Sequence, residues 1–225
     1  MIEYLVKFDH NNISPLDNRY SSKINDIKKV FSEHSLIKTR FIIEINWLLY
    51  LCDKKPKYFN KISNATRNKI IKFRDGFDDR SVLKIKKIEK STNHDVKAVE
   101  YFIRDFFKKD KTLSKYIHLI HFGLTSEDVN SLSYAVMLKN GLNIYTNEIV
   151  NINKILNQLS NKWKSLPLLS RTHGQAASPT TVGKELKVFS NRIAREIVKL
   201  KNIEPLAKFS GAVGNYHAFH IAVDK

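Results

Sequence analysis

Residues 142–163, LNIYTNEIVNINKILNQLSNKW, decide the fold class. Leu142, Tyr145, Ile149, Ile152, Leu156, Leu159 and Trp163 recur in alternating steps of three and four, which places them on one stripe of a long helix. About three heptads of such a seam suit a bundle helix that packs along its whole length. Pro167 is expected to end it. Downstream, Val182, Leu186, Phe189, Ile193, Ile197 and Leu200 draw a second long stripe. No strand-length alternation competes with either stripe and no internal repeat is evident, so the expected class is all-α. Stripes longer than a small domain needs imply packing against further helices, including those of other subunits.

Upstream the same period returns in shorter pieces. Residues 21–53 read as helical, with Ser35 as a cap before LIKTRFIIEINWLL, and the turn around Pro56 marks a break. A charged helical region runs to Lys90, followed by a polar junction at Ser91, Thr92 and Asn93. From Asp95 a face of Val96, Val99, Ile103 and Phe106 or Phe107 resumes the helical period. Residues 1–20 read as tail and loop, and Ser210–Asn215 as a turn between helices.

Composition narrows the function classes. The 225 residues can bury a sizeable core, and 42% hydrophobic content with 11% aromatics argues against global disorder. The most apolar run, FIIEINWLLYLC (41–52), is interrupted by Glu44 and Asn46 and is too short to span a bilayer. The start, MIEYLVKFDHNN, has no charged leader before an apolar stretch, so no secretory signal is expected. Cys52 is the single cysteine, which fits a reducing, cytoplasmic setting. The net charge of +17 permits nucleic acid as a partner, but lysines spread among asparagines and isoleucines read as a compositional bias instead. Neither nucleic acid nor membrane is the expected partner.

Four polar clusters interrupt the helical pattern: PLDNRY (15–20), STNHDVKAVE (91–100), HFGLTSEDVN (121–130) and SRTHGQ (170–175). Each is expected at or near a helix start, where unpaired N–H groups and the helix dipole attract anions. Thr125 and Ser126 serve either as caps or as hydroxyl ligands for a carboxylate. Asp95 can cap a helix while His94 projects from its start as a structural ring or a functional one. His118 with His121, and His217 with His220, have helical spacing but no third ligand, so no metal site is expected. His173, beside Gly174, is a cap, a packed ring or a proton donor; an ordinary imidazole titrates close enough to neutrality for the last.

Taken together and in order, PLDNRY, IKTRFIIEINWL, KIEKSTNHDVKAVEYF, HFGLTSEDVN and LLSRTHGQAASPTTVGKE closely resemble the adenylosuccinate lyase family, a branch of the fumarase/aspartase superfamily. The resemblance covers almost the whole chain but only the first half of a typical member. It implies an N-terminal helical domain, 1–111, followed by an incomplete helical-bundle domain, 112–225. It also implies β-elimination of fumarate from adenylosuccinate, giving AMP, and from succinylaminoimidazole carboxamide ribotide, in a cytoplasmic homotetramer that needs no metal or organic cofactor. Carried over by position, His173 matches the general acid. Arg19 and Tyr20 match nucleotide contacts, and Asn93, His94 and Asp95 match a substrate-binding segment. Thr125 and Ser126 match the residues that hold the succinyl portion, while Thr172 and Gln175 shape the pocket beside His173. Two departures stand out: Ala176 replaces the usual proline, and the flexible loop SSxMPxKxNP, source of the serine base, is not in this sequence. The chain is therefore expected to be inactive alone; the alternative is a non-catalytic oligomerising fragment or one half of a split lyase.

Overall fold

A computed structural model describes residues 14–54, 59 and 61–223. The expected break at Pro56 and the expected tail up to residue 13 lie outside the described residues. The chain forms two compact units: one holds residues up to Leu138 together with Leu206 onward, the other Lys139–Pro205.

The first unit is built around α2 (Glu33–Lys54). Against it pack α1 (Asn25–Phe31), α3 (Asn64–Asp75), α4 (Asp79–Thr92) and α5 (Asp95–Lys108). Ile37, Phe41, Ile45, Leu48, Leu51 and Cys52 are buried along α2. Phe41 meets the rings of Phe73 at 5.1 Å and Phe77 at 4.7 Å, an aromatic cluster worth more than its buried area alone. The predicted face of α5 is present, with Val96, Val99, Ile103 and Phe107 buried, while Phe106 is half-buried and stacks on Phe73.

Two helix boundaries differ from expectation. Ser35 does not cap α2; it lies inside the helix, and the chain breaks at Ser32, whose backbone is extended. The Ser32 hydroxyl accepts the Ser35 N–H at 3.2 Å, and the Ser35 hydroxyl donates to the Lys29 carbonyl at 2.7 Å, tying α1 to α2. The charged stretch before Lys90 is two helices, not one. Asp78 caps α4 by accepting the Ser81 N–H at 2.9 Å in a capping box, so the chain restarts after Gly76.

The long helix α6 (Ser126–Lys162) is the one the seam predicts. Among the described residues no helix is long and apolar enough to cross a membrane. The second unit holds the C-terminal part of α6, a two-stranded antiparallel hairpin and α7 (Val182–Lys201). The hairpin corrects the expectation of helices alone: β1 (Pro167–Thr172) pairs with β2 (Gln175–Thr181), with a register irregularity between Leu169 and Arg171. Pro167 opens β1 and does not end α6, which stops at Lys162. Pro179 is tolerated because a two-stranded ribbon has only edge strands. The class remains all-α with one small ribbon.

Gly183 sets how closely α7 approaches α6. A Cβ there would stand 2.4 Å from the Ser160 carbonyl oxygen and 2.6 Å from the Lys164 Cα. In that gap the Gly183 N–H reaches the Trp163 carbonyl at 3.0 Å, and the Ser160 hydroxyl donates to the Gly183 carbonyl at 2.7 Å. The seam itself is only half satisfied within the chain: Leu142, Ile149, Leu156, Leu159 and Trp163 are half-buried, whereas Tyr145 and Ile152 are exposed. Short α8 (His217–Val223) follows the predicted turn, in which Gly211 and Gly214 take left-handed backbone.

Candidate active site

In the first unit two of the four polar clusters meet. Asn93 ends α4 in the left-handed conformation at φ 50°, its N–H bonded to the Glu89 carbonyl at 2.8 Å. The chain turns so sharply there that α5 starts two residues later. Its cap is His94, not Asp95: Nδ1 of His94 accepts the Lys97 N–H at 3.3 Å. A neutral ring that accepts at Nδ1 carries its proton on Nε2, and Nε2 faces the Ser126 hydroxyl at 3.4 Å. Donation from His94 to Ser126 leaves the serine proton free to point at a ligand.

Asp95 is held instead by two other partners. Its Oδ1 accepts the Val96 N–H at 2.8 Å, and its Oδ2 pairs with Arg40 Nη2 at 2.8 Å. Burial pushes the Asp95 carboxyl up, but the Val96 N–H and the Arg40 guanidinium outweigh it and hold the group below the usual carboxylate range. Arg40 comes from the fully helical IKTRF stretch and is itself buried.

Thr125 and Ser126 stand at the start of α6, where a 37-residue helix presents its N-terminal dipole. The Thr125 N–H is claimed by Asp128, whose Oδ2 accepts it at 2.8 Å. Asp128 is buried and also takes the Lys208 ammonium at 2.6 Å and the Ser210 and Gly211 N–H groups at 2.9 and 3.1 Å. Burial pushes this carboxyl up, and the Lys208 and backbone donors outweigh it, keeping it low. The sequence signal for this role of Asp128 is the TSED spacing, which places an acid three residues after Thr125.

A second missed pair lies below. His121, read as half of a weak metal pair, has its Nδ1 2.5 Å from Oε1 of Glu44, a carboxylate of α2 that is 1% exposed. His121 (φ 62°) and Gly123 (φ 70°) both take left-handed backbone as the chain approaches Thr125. A Cβ on Gly123 would lie 2.3 Å from the Phe219 ring, so the segment is closely packed on that side. Trp47 Nε1 donates to the Phe122 carbonyl at 2.8 Å, a further tie to α2.

Arg19 and Tyr20 lie in a turn closed by the Tyr20 N–H on the Pro15 carbonyl at 3.0 Å. The guanidinium sits 5.4 Å from the centre of the Tyr20 ring and both side chains are exposed. Among the described residues no backbone hydrogen bond joins them to His94 or Ser126.

In the second unit SRTHGQ is the tip of the hairpin, not a helix start; α7 begins only at Val182. Thr172 pairs with Gln175, and the two residues between them, His173 at φ 51° and Gly174 at φ 76°, are both left-handed. Two consecutive left-handed residues form the tight turn that matches the twist of a two-residue hairpin. The His173 ring is exposed at the tip, flanked by the exposed Thr172 and Gln175, so it is neither a helix cap nor a packed core ring. The Ser170 hydroxyl donates to the Ser178 carbonyl across the ribbon.

A family profile described as lyase matches residues 18–225. Adenylosuccinate lyase of Vibrio cholerae is 41% identical over 208 residues, covering 92% of this chain and 46% of that protein. The Escherichia coli K12 adenylosuccinate lyase is 38% identical over 218 residues, covering 93% and 46%. The chain thus spans about half the length of the curated relatives it matches. Among solved structures, a fumarate lyase from Mesorhizobium sp. BNC1 superposes with a TM-score of 0.70 at 19% identity, over 85% of this chain and 43% of that one. The β-carboxy-cis,cis-muconate cycloisomerase of Acinetobacter calcoaceticus sp. ADP1 gives 0.69 at 17% identity, over 90% and 47%. These two share the fold.

Proposed function

Since this chain belongs to the lyase family whose profile it matches over residues 18–225, we propose that it is the N-terminal part of an adenylosuccinate lyase. The reaction is β-elimination: a C–H bond next to a carboxylate breaks, electrons move toward that carboxylate, and the C–N bond breaks to release fumarate. Charge building on the carboxylate needs hydrogen-bond donors in place before the step. Thr125 and Ser126 supply hydroxyls at the N-terminus of α6, and His94 turns the Ser126 proton outward. His173 hands a proton to the departing nitrogen, with Thr172 and Gln175 shaping the pocket around it. Asn93 and Asp95 hold the substrate-binding segment in place, and Arg19 and Tyr20 bind the nucleotide. The serine base comes from a segment that these residues do not include. The same reading assigns the two-domain division at 111/112, a cytoplasmic homotetramer in purine and AMP biosynthesis, and the second, ribotide substrate.

The observation that carries this reading is the approach of His94 to Ser126, which joins two polar clusters more than thirty positions apart in the sequence. The test is fumarate release from adenylosuccinate by the purified chain, alone and mixed with a separately produced C-terminal half of a relative bearing the SSxMPxKxNP loop. Alone, the rate falls by about a hundredfold to ten-thousandfold relative to an intact lyase, the range expected for a missing catalytic base. The mixture recovers activity, and His173→Gln abolishes that recovery. A recovered rate indifferent to His173→Gln overturns the proposal.

A further inference from the structure

One buried guanidinium reaches both of the segments that meet at His94 and Ser126. Arg40 is 4% exposed. Its Nη2 pairs with Asp95 Oδ2 at 2.8 Å, and its Nε donates to Asn130 Oδ1 at 2.8 Å. Asp95 is the neighbour of His94 and the first residue of α5; Asn130 lies one helical turn beyond Ser126 on α6. We infer that Arg40 is a positioning residue: by gripping Asp95 and Asn130 it sets the distance between His94 Nε2 and the Ser126 hydroxyl. It touches neither of those two groups.

The chemistry favours arginine at this position. A guanidinium is planar and permanently charged, with donors in a fixed fork, so two bonds made by one group also fix the angle between their acceptors. A lysine in the same place is a point donor that can keep one partner well but not hold both at a set angle. The His94–Ser126 contact of 3.4 Å is at the outer edge of hydrogen bonding, so a small separation of α5 from α6 breaks it. Asp95 is half-exposed, so loss of the guanidinium leaves its carboxylate access to water and does not strand a buried charge. That makes substitution at residue 40 a probe of position more than of folding.

This inference deepens the proposed lyase reading and rests on it for its functional meaning, but its test needs no substrate. The full chain is labelled with 15N-histidine, and the His94 ring signals are assigned by their loss in His94→Gln. In Arg40→Gln, the Nε2 signal moves to that of a ring without a serine partner, and exchange of the Lys97 and Thr125 amides accelerates about tenfold or more, the size of one lost charged hydrogen bond. Amides of α3 are unchanged. Arg40→Lys gives an intermediate shift. Should Arg40→Gln fail to fold, Asn130→Ala decides the matter: it removes one arm only, and the same Nε2 signal must move while Lys97 stays protected. His94 signals that stay in place in a folded variant, or faster exchange spread evenly over α2 to α5, overturn the inference. Absence of fumarate release in every complemented protein would instead count against the lyase reading and leave this one standing.

Discussion

In the first unit the candidate site residues are held by side chains: Arg40 grips Asp95 and Asn130, Asp128 gathers four donors, and Glu44 meets His121 inside the core. In the second unit His173 is held by backbone: a left-handed two-residue turn, a short ribbon, and a glycine that lets α7 approach α6. The apolar surfaces differ in the same sense. Phe41 is fully buried, while Phe189 on α7 is 55% exposed, with Val188 and Val198 open on the same helix. The first unit carries its own core; the second keeps its shape mainly through backbone fit and presents apolar side chains outward. Deletions of side chains should therefore damage the first unit, and added atoms should damage the second.

The largest expected effect breaks the comparison if it fails. Phe41→Ala removes a ring packed against Phe73, Phe77 and Phe102 and is expected to cost about 3–5 kcal/mol in urea unfolding. Phe189→Ala deletes the same atoms from an open face and should change stability by less than about 1 kcal/mol. Equal costs would mean that the α7 face is covered in the molecule as it exists in solution. Next in size is Gly183→Ala. The new methyl meets backbone atoms of Ser160 and Lys164, which cannot step aside as a flexible side chain would, so about 1–3 kcal/mol is expected. Amide exchange should show that loss in the ribbon and the adjoining ends of α6 and α7. A tolerant Gly183→Ala would show that the two helices are free to separate.

Much of this contrast was readable from residue order. The stripes of α5, α6 and α7 follow from periodicity because a helix repeats its contacts every three to four residues whatever it packs against. The ribbon was not readable that way: PLLSRTHGQAASPTT is too short and polar to show alternation, and its decisive feature is backbone handedness at His173 and Gly174. Among site residues, the structure places His94 Nε2 3.4 Å from the Ser126 hydroxyl, and His94 caps α5 where Asp95 was the expected cap. Arg40 and Glu44 escaped because a charged residue within a helical stripe looks like solvent surface until its partner, far away in sequence, is known. Glu44 sits 77 positions from His121, and Arg40 sits 90 from Asn130.

The Glu44–His121 pair sharpens the claim that side chains hold the first unit. Burial pushes the imidazole down, but the Glu44 hydrogen bond and charge, aided by Glu100 and opposed by Lys97, outweigh it, so the folded pKa is raised. A raised value means that the pair contributes fully below the unfolded histidine pKa of about 6.5 and that its contribution is lost as pH rises through the folded value. Asp95 and Asp128 act in the opposite direction and at lower pH, since their folded values are depressed and their contribution is lost only on acidification. Urea unfolding between about pH 5.5 and 8.5 should therefore show stability falling with rising pH. Glu44→Gln should flatten that slope, and a slope unchanged by it would remove His121 from the account.

The smallest effect separates two ways in which a glycine can matter. Gly183 lacks room for a Cβ, whereas an atom added at Gly174 would meet nothing within 4 Å. The cost of Gly174→Ala is thus conformational alone: φ 76° lies in the left-handed region, which L-residues with a Cβ enter at about 1–2 kcal/mol. Asparagine enters that region more readily than alanine, so Gly174→Asn should recover part of the loss. The expected order of ribbon stability is Gly, then Asn, then Ala, read from exchange of the Arg171 and Ala176 amides on either side of the turn. If alanine and asparagine cost the same, handedness is not what holds His173 at the tip. A hidden contact would then have to replace it, and the second unit would resemble the first.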